Sequence, residues 1–278
     1  MHIPVLLNEA IALLDPKPGE FFVDGTLGAG GHFRALEEKV GSRGRVLGID
    51  WEKTGENFAD LPEILRAKNL PKPDGLLLDL GISSDQIESS GRGFSFWRDE
   101  PLLMNIHPET TPLYDHLRTL SEKEMTEIIR KYGEERYATR IARVIAEARK
   151  KAPIETSGQL AEIVKNAVPK NYERGRIHPA TRTFQAFRIF VNRELENLER
   201  LLSALPALMA PGGRVAIISF HSLEDRLVKN AFRTLAKGKR IVLLTKKPVT
   251  PTDEEIILNP RSHSAKLRAI RFSLISKP

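Results

Sequence analysis

The sequence predicts an α/β fold in which an open sheet of mostly parallel strands is interrupted by a helical insertion. Three observations carry this expectation. Short β-branched or leucine-rich runs alternate with longer stretches at helical spacing. The strand candidates are apolar at nearly every position, as strands covered on both faces must be. More than 130 residues separate the third strand from the fourth, far more than one crossover needs.

In chain order the strand candidates are residues 21–24, 45–50, 75–80 and 214–220, followed by 240–245 and 267–272, which are suited to an antiparallel pair closing the sheet. Between the third and fourth, Ser121 to Lys131 opens with a capping-box pattern, a hydroxyl followed by an acid three residues on. From Glu134 to Lys151, residues Tyr137, Ile141, Val144, Ile145 and Ala148 form an apolar stripe that Pro153 ends. A further helix is expected from Ser157 to Ala167. One long helix from Thr181 to about Met209 would carry Phe184, Phe187, Val191, Leu195, Leu198, Leu202 and Leu205 on one seam. The simplest division is a sheet domain of residues 1–104 and 179–278 with an inserted helical domain of 105–178.

Composition narrows the classes. The 278 residues are 41% hydrophobic and 28% charged, enough for a sizeable core. No run reaches the length of a membrane span, and Met1–Glu9 lacks the basic and apolar regions of a signal peptide. There is no cysteine, which excludes disulfides, cysteine–zinc sites and thiol catalysis. These features together predict a cytoplasmic protein. A net charge of +7 suits a polyanionic partner. The expected assembly is a monomer or weak dimer, though no sequence feature reveals the oligomeric state.

Strand one runs into Asp24-Gly25-Thr26-Leu27-Gly28-Ala29-Gly30-Gly31-His32 and then a helical segment. Closely spaced glycines at such a turn let the backbone approach a ligand. About twenty residues on, strand two ends in Asp50, placed for ribose hydroxyls. A nicotinamide dehydrogenase would share that much. Two features favour S-adenosylmethionine: Asp24 suits an ammonium and is awkward beside a pyrophosphate, and Gly28-x-Gly30-Gly31 departs from the dinucleotide spacing. Strand three ends in Asp79-Leu80-Gly81-Ile82-Ser83-Ser84. Methylation of an exocyclic base nitrogen needs an acceptor for its N–H, and Asp79, Ser83 or Ser84 could serve. No His/Asp/Glu cluster has metal-ligand spacing, and methyl transfer from a sulfonium needs no metal.

Six motifs then occur in order: the Asp24–His32 loop, Leu78–Ser84, Arg92–Phe96, Tyr132–Arg136, His178–Ala186 and Ser219–Arg226. Through them the chain resembles, from His2 nearly to its end, the bacterial methyltransferases of cytosine N4 in small-subunit ribosomal RNA. The resemblance implies a class I S-adenosylmethionine-dependent methyltransferase (Rossmann-like) sheet with an inserted helical domain. It implies cofactor contacts at Gly30, Gly31, His32, Asp50, Asp79 and Gln86, with Phe58 beside the adenine, and a cytidine near the decoding centre as target. Two departures stand out. Only eight residues lead from Asp50 to Phe58 where the family has a helix and a further strand, and a piece so close to the adenine pocket is expected in the intact protein. Leu103, Asn105 and His107 replace three charged residues of the family.

RNA would meet a basic set. Arg136, Arg140 and Arg143 recur at helical spacing, and His178 and Arg182 lie further on, in a run toward the sheet domain. Arg92, Phe94, Phe96 and Trp97 combine a cation with aromatics on which a flipped cytosine could stack. His221 and Ser222, after strand four, are candidate substrate-pocket residues; a Ser-His-Asp hydrolase is excluded by chain order and the missing nucleophile elbow. The alternative to an enzyme is a catalytically impaired RNA-binding ribosome-assembly factor.

Overall fold

The computed structural model describes residues 4–82 and 90–274. It divides into two compact units, one of residues 1–81 with 195–278 and one of residues 82–194.

The first unit is built on a six-stranded sheet. Its elements run α1 (Leu7–Leu14), β1 (Phe21–Asp24), α2 (Gly31–Val40), β2 (Arg45–Gly48), α3 (Leu61–Ala67) and β3 (Gly75–Asp79). After the insertion the sheet resumes with β4 (Arg214–Ser219), β5 (Ile241–Leu243) and β6 (Lys266–Phe272). The strand order is β2-β1-β3-β4-β6-β5. The first four are parallel, and β6 runs antiparallel to both β4 and β5, so the terminal pair closes the sheet as its sequence suggests.

Alternation along the strands divides the core in two, because successive side chains leave a strand on opposite faces. Phe22, Leu77, Ala216 and Ile218 pack with Ala10 and Leu14 of α1 and Leu36 and Val40 of α2. Phe21, Val23, Leu76, Leu78 and Ile217 face the other way, onto α3, the helix Glu194–Leu208 and the helix Ser222–Lys237. The sheet is therefore doubly wound, and its central strands β1, β3 and β4 are buried along nearly their whole length because both of their faces are covered.

The second unit is helical, with α4 (Leu113–Thr119), α5 (Glu122–Gly133), α6 (Ala138–Lys151), α7 (Ser157–Ala167) and α8 (Thr181–Asn192). The capping box read at Ser121 is present, Ser121 accepting from the Glu124 amide while Glu124 accepts from that of Ser121. Thr156 and Gln159 cap α7 in the same way. The unit starts and ends outside the expected 105–178. Phe94, Leu102 and Met104 on one side, and Phe184, Phe187 and Val191 on the other, join the same apolar core as Met125, Ile129, Ile141 and Leu160.

The long helix expected from Thr181 to Met209 is two helices. Arg193 adopts φ 50, a left-handed conformation that ends α8, and α9 (Glu194–Leu208) begins beside it. The expected seam is shared out accordingly: Phe184, Phe187 and Val191 enter the helical core, and Leu198, Leu202 and Leu205 the sheet core. The remaining helices are α10 (Ser222–Lys237) and α11 (Asp253–Leu258).

The strand and helix expected between Asp50 and Phe58 are not part of this chain. Residues 51–57 close the gap as a tight connection: Asp50 Oδ1 accepts from the Glu52 and Lys53 amides, and the Asp50 carbonyl accepts from Thr54 N and Oγ1. The chain then enters a 3-10 turn, Phe58–Asp60, and leaves β2 as the sheet's outer strand. Among the described residues no helix is long and apolar enough to cross a membrane.

Candidate active site

The strand order reverses between β1 and β3, the position where open α/β sheets bind ligands beyond the carboxyl ends of their strands. Asp24 ends β1 and Asp79 ends β3. Asp24 is 1% exposed. Its Oδ1 accepts from the Thr26 amide at 3.0 Å, while Oδ2 is buried with no hydrogen-bond partner. Burial pushes its pKa up to about 6, against the hydrogen bond from Thr26 and with help from the charge of Asp50. Asp79 is similar. Its Oδ1 is buried without a partner, and burial first, then the charges of Asp24 and Glu224, push its carboxyl well above the usual range.

His32 completes the group. Its Nε2 lies 3.1 Å from the Val5 carbonyl, so this nitrogen carries the hydrogen and donates. That leaves Nδ1 facing Asp79 Oδ2 at 3.6 Å, an ion-pair distance if the ring is charged. Val5 thereby fixes which nitrogen Asp79 meets.

The glycine loop is held from two sides. Gly28 N donates to Asp50 Oδ2 at 3.0 Å, and Lys53 Nζ donates to the Gly28 carbonyl, so the short connection clamps the loop. Gly30 caps α2, whose first residue, Gly31, would carry a Cβ 2.1 Å from Pro4 Cγ; only glycine fits there. Phe58 remains beside the loop despite the shortened connection: a Cβ on Gly25 would stand 3.3 Å from that of Phe58. The structure thus brings Asp24, Gly28, Gly30, Gly31, His32, Asp50, Phe58 and Asp79 to one end of β1–β3. Ser83, Ser84 and Gln86 lie outside the described residues.

The expected RNA residues separate into three groups. The first is spent on structure. Arg92 Nη1 donates to the carbonyls of Asn105 and Ile106, and Phe94 is buried in the helical core. His221 is the N-cap of α10, its Nδ1 accepting from the Glu224 amide at 3.4 Å, and the exposed Ser222 begins that helix. Arg182 pairs with Glu173 at 3.5 Å and donates to the Glu134 carbonyl. Arg136 lies over the Tyr137 ring and 3.9 Å from Glu173.

Arg140 and Arg143 form the second group, exposed on α6 with no ion pair among the described residues. The third is aromatic. Phe96 stacks on His178 with centroids 4.4 Å apart and planes at 11°, and meets Phe184 edge-on. His178 Nδ1 accepts from the Ala180 amide, and burial, with the charge of Lys165, lowers its pKa, keeping the ring neutral. Trp97 leans on both Phe96 and His178, yet is 77% exposed. Of the three aromatics that sequence put forward for stacking, Phe94 is buried, Phe96 is partly buried and Trp97 keeps an open face.

Of the three replaced charges, Asn105 is buried and donates to the carbonyls of His107 and Thr110, holding the turn. His107 accepts from the Glu109 amide, and Leu103 is half-buried.

The chain is similar to known proteins over nearly its whole length. The chain is 44% identical to the Ribosomal RNA small subunit methyltransferase H of Syntrophus aciditrophicus over 302 positions, covering 96% of each chain. It is 46% identical to the protein of that name from Deinococcus radiodurans, with 96% of this chain and 88% of the relative covered. Among solved structures, a putative rRNA-methylase from Clostridium thermocellum covers 98% of this chain and is wholly covered, at 13% identity and a TM-score of 0.40. The Syntrophus alignment is longer than the 278 residues here, so that relative carries residues this chain lacks. The model of the MraW methylase family matches in two pieces, residues 1–55 and 52–273, which meet in the short connection after Asp50. With nearly every residue matched and the site at the sheet's switch point, the chain belongs to the MraW methylase family.

Proposed function

We propose that this protein transfers a methyl group from S-adenosylmethionine to the N4 amino group of a cytidine in small-subunit ribosomal RNA, near the decoding centre and in the cytoplasm. The observation that carries the reading is the pair of carboxylates at the ends of β1 and β3, Asp24 buried and Asp79 partly buried, each with one buried oxygen that has no hydrogen-bond partner. Unpaired buried carboxylates are costly unless a cation or donor meets them. S-adenosylmethionine brings an ammonium and a sulfonium, so the donor set fits it.

When bound, it supplies an electrophilic methyl group on sulfur. Asp24 then holds the ammonium. Asp50, already fixed by Gly28, Glu52 and Lys53, presents its carboxylate to the ribose side, and Phe58 packs beside the adenine. Asp79 accepts a hydrogen bond from the cytosine amino group. This would make the nitrogen lone pair available to the methyl group that the bound donor would supply, and Asp79 would take the amino proton. Cations bound beside Asp24 and Asp79 offset the burial that favours their protonated forms, so Asp79 is ionised when substrate is present. The helical unit contributes Arg140 and Arg143 for phosphates and Trp97 for stacking an unpaired base.

The decisive experiment incubates the protein with labelled S-adenosylmethionine and small subunits lacking this modification, then maps the methyl group by mass spectrometry. Label on N4 of one cytidine is expected, and Asp79→Asn abolishes it while RNA binding persists. Binding of cofactor and subunit without transfer in the unaltered chain would instead support the assembly-factor reading.

A further inference from the structure

The sheet-bearing unit also carries a run of cations that the site does not use. From Arg226 to Thr252 there are eight lysines and arginines and no acid. In α10, Arg226, Lys229, Arg233 and Lys237 recur three and four residues apart and so share one face. The opposite face supplies Val228 and Phe232 to the core. Arg226, Arg233 and Lys237 are exposed, as are Arg240, Lys246 and Lys247 around β5. Among the described residues, Arg233, Lys237, Arg240, Lys246 and Lys247 form no ion pair. Like charges at this spacing repel one another and weaken the helix, a cost that a polyanion removes.

A second observation lies beside the ridge. A cleft of about 740 Å³ opens between α10 and β5, lined by Asn230, Arg233, Thr234, Ala236, Lys237 and Leu243. Ala236 and Leu243 give it an apolar floor, Asn230 and Thr234 supply hydrogen-bonding groups, and the two cations form its rim. An apolar seat with a few polar groups suits a nucleoside, and a cationic rim suits the phosphates on either side of it.

We propose that the α10–β5 surface is a second RNA contact: the ridge follows the phosphate backbone and the cleft seats one nucleotide. This rests on the reading of the protein as an RNA methyltransferase. From Arg226 to Lys237 the ridge spans about 16 Å at 1.5 Å per residue, the reach of several phosphates of one strand.

The test uses the full chain, a fluorescein-labelled small-subunit RNA and fluorescence anisotropy over a series of salt concentrations. The variant Arg233→Gln/Lys237→Gln/Arg240→Gln removes three exposed cations without touching the core. The slope of log K against log salt should fall by roughly 2–3, and affinity at about 0.1 M salt by roughly 100-fold. S-adenosylhomocysteine binding should be unchanged, showing an intact fold, and Arg→Lys versions at 233 and 240 should keep most of the affinity. If the unaltered chain binds RNA and the triple variant matches it in slope and affinity, the proposal is overturned while the methyltransferase reading stands. If the unaltered chain binds no small-subunit RNA or particle, both fail. Polyglutamate competing as well as polyuridylate at equal charge would assign the ridge to an acidic protein and overturn the nucleotide seat.

Discussion

Asp24→Asn should make this protein more stable and less able to hold its methyl donor. Asparagine is nearly the same shape, and its Oδ1 can still accept from the Thr26 amide. What it removes is a charge buried to 1% exposure with one oxygen unpartnered. The folded-state pKa is about 6 against an ordinary 3.8. A raised carboxylate pKa means that the folded state clings to a proton which the unfolded chain releases. Below pH 3.8 both states are protonated and there is no penalty; as pH rises toward 6 the fold loses stability, and above about 7 the loss is complete. A gap of about two pKa units corresponds to about 3 kcal/mol, of which about half is felt at pH 5. Asparagine does not titrate, so its advantage in urea unfolding should be about 3 kcal/mol at pH 8 and about half that at pH 5. Calorimetry should meanwhile show S-adenosylhomocysteine bound about 10- to 100-fold more weakly, the loss of a charge-assisted hydrogen bond of about 1.5–3 kcal/mol. A variant no more stable than the parent at pH 8, or one whose advantage does not shrink at pH 5, would refute the claim that Asp24 is a strained charge awaiting a cation.

Three further outcomes follow from the geometry. Gly31→Ala must push Pro4 away from a Cβ 2.1 Å distant, so thermal unfolding should show a loss of about 1–3 kcal/mol together with weaker cofactor binding. Tyr172→Phe removes the hydroxyl that donates to the buried Glu135 carboxylate, and should destabilise the protein by about 1.5–3 kcal/mol in urea; no loss would mean that solvent reaches Glu135. Trp97→Leu should weaken binding of unpaired RNA by about 1–3 kcal/mol while leaving the salt slope unchanged, because stacking releases no counterions, and Trp97→Phe should retain most of the affinity.

Much of the sheet unit is legible in sequence because its central strands are buried on both faces, and a run such as Gly75–Asp79 can hardly be anything else. Asp24 and Asp79 are legible too, since an acid that ends an apolar strand beside a glycine loop has few structural uses. Their orphaned oxygens, and the tautomer that Val5 imposes on His32, depend on contacts distant in the chain and leave no local trace. The break at Arg193 is hidden for the same reason: arginine favours helix, and only the demands of two separate cores give it φ 50. Arg92 and Arg140 look equally suited to phosphates as letters, yet one is consumed by backbone carbonyls and the other is exposed with no ion pair among the described residues. Phe94 and Trp97 are equal candidates as letters, yet one is buried and the other exposed, because composition says nothing about which aromatic of a cluster the core takes.

The placement of β2 has a consequence for how such an enzyme can be shortened. A doubly wound sheet gathers its chemistry at the reversal between β1 and β3 and keeps its outermost strands as margin. The short connection after Asp50 lies at that margin, so no pairing on either side of Asp24 or Asp79 depends on it. Residues 51–57 and Gly28 hold Asp50 against the glycine loop. The border strand is four residues long and begins with the exposed Arg45, a poor template for sticking to another sheet. Architectures wound from the middle can be pruned at the rim by evolution or by a designer, whereas the same cut one strand further in would remove the reaction itself.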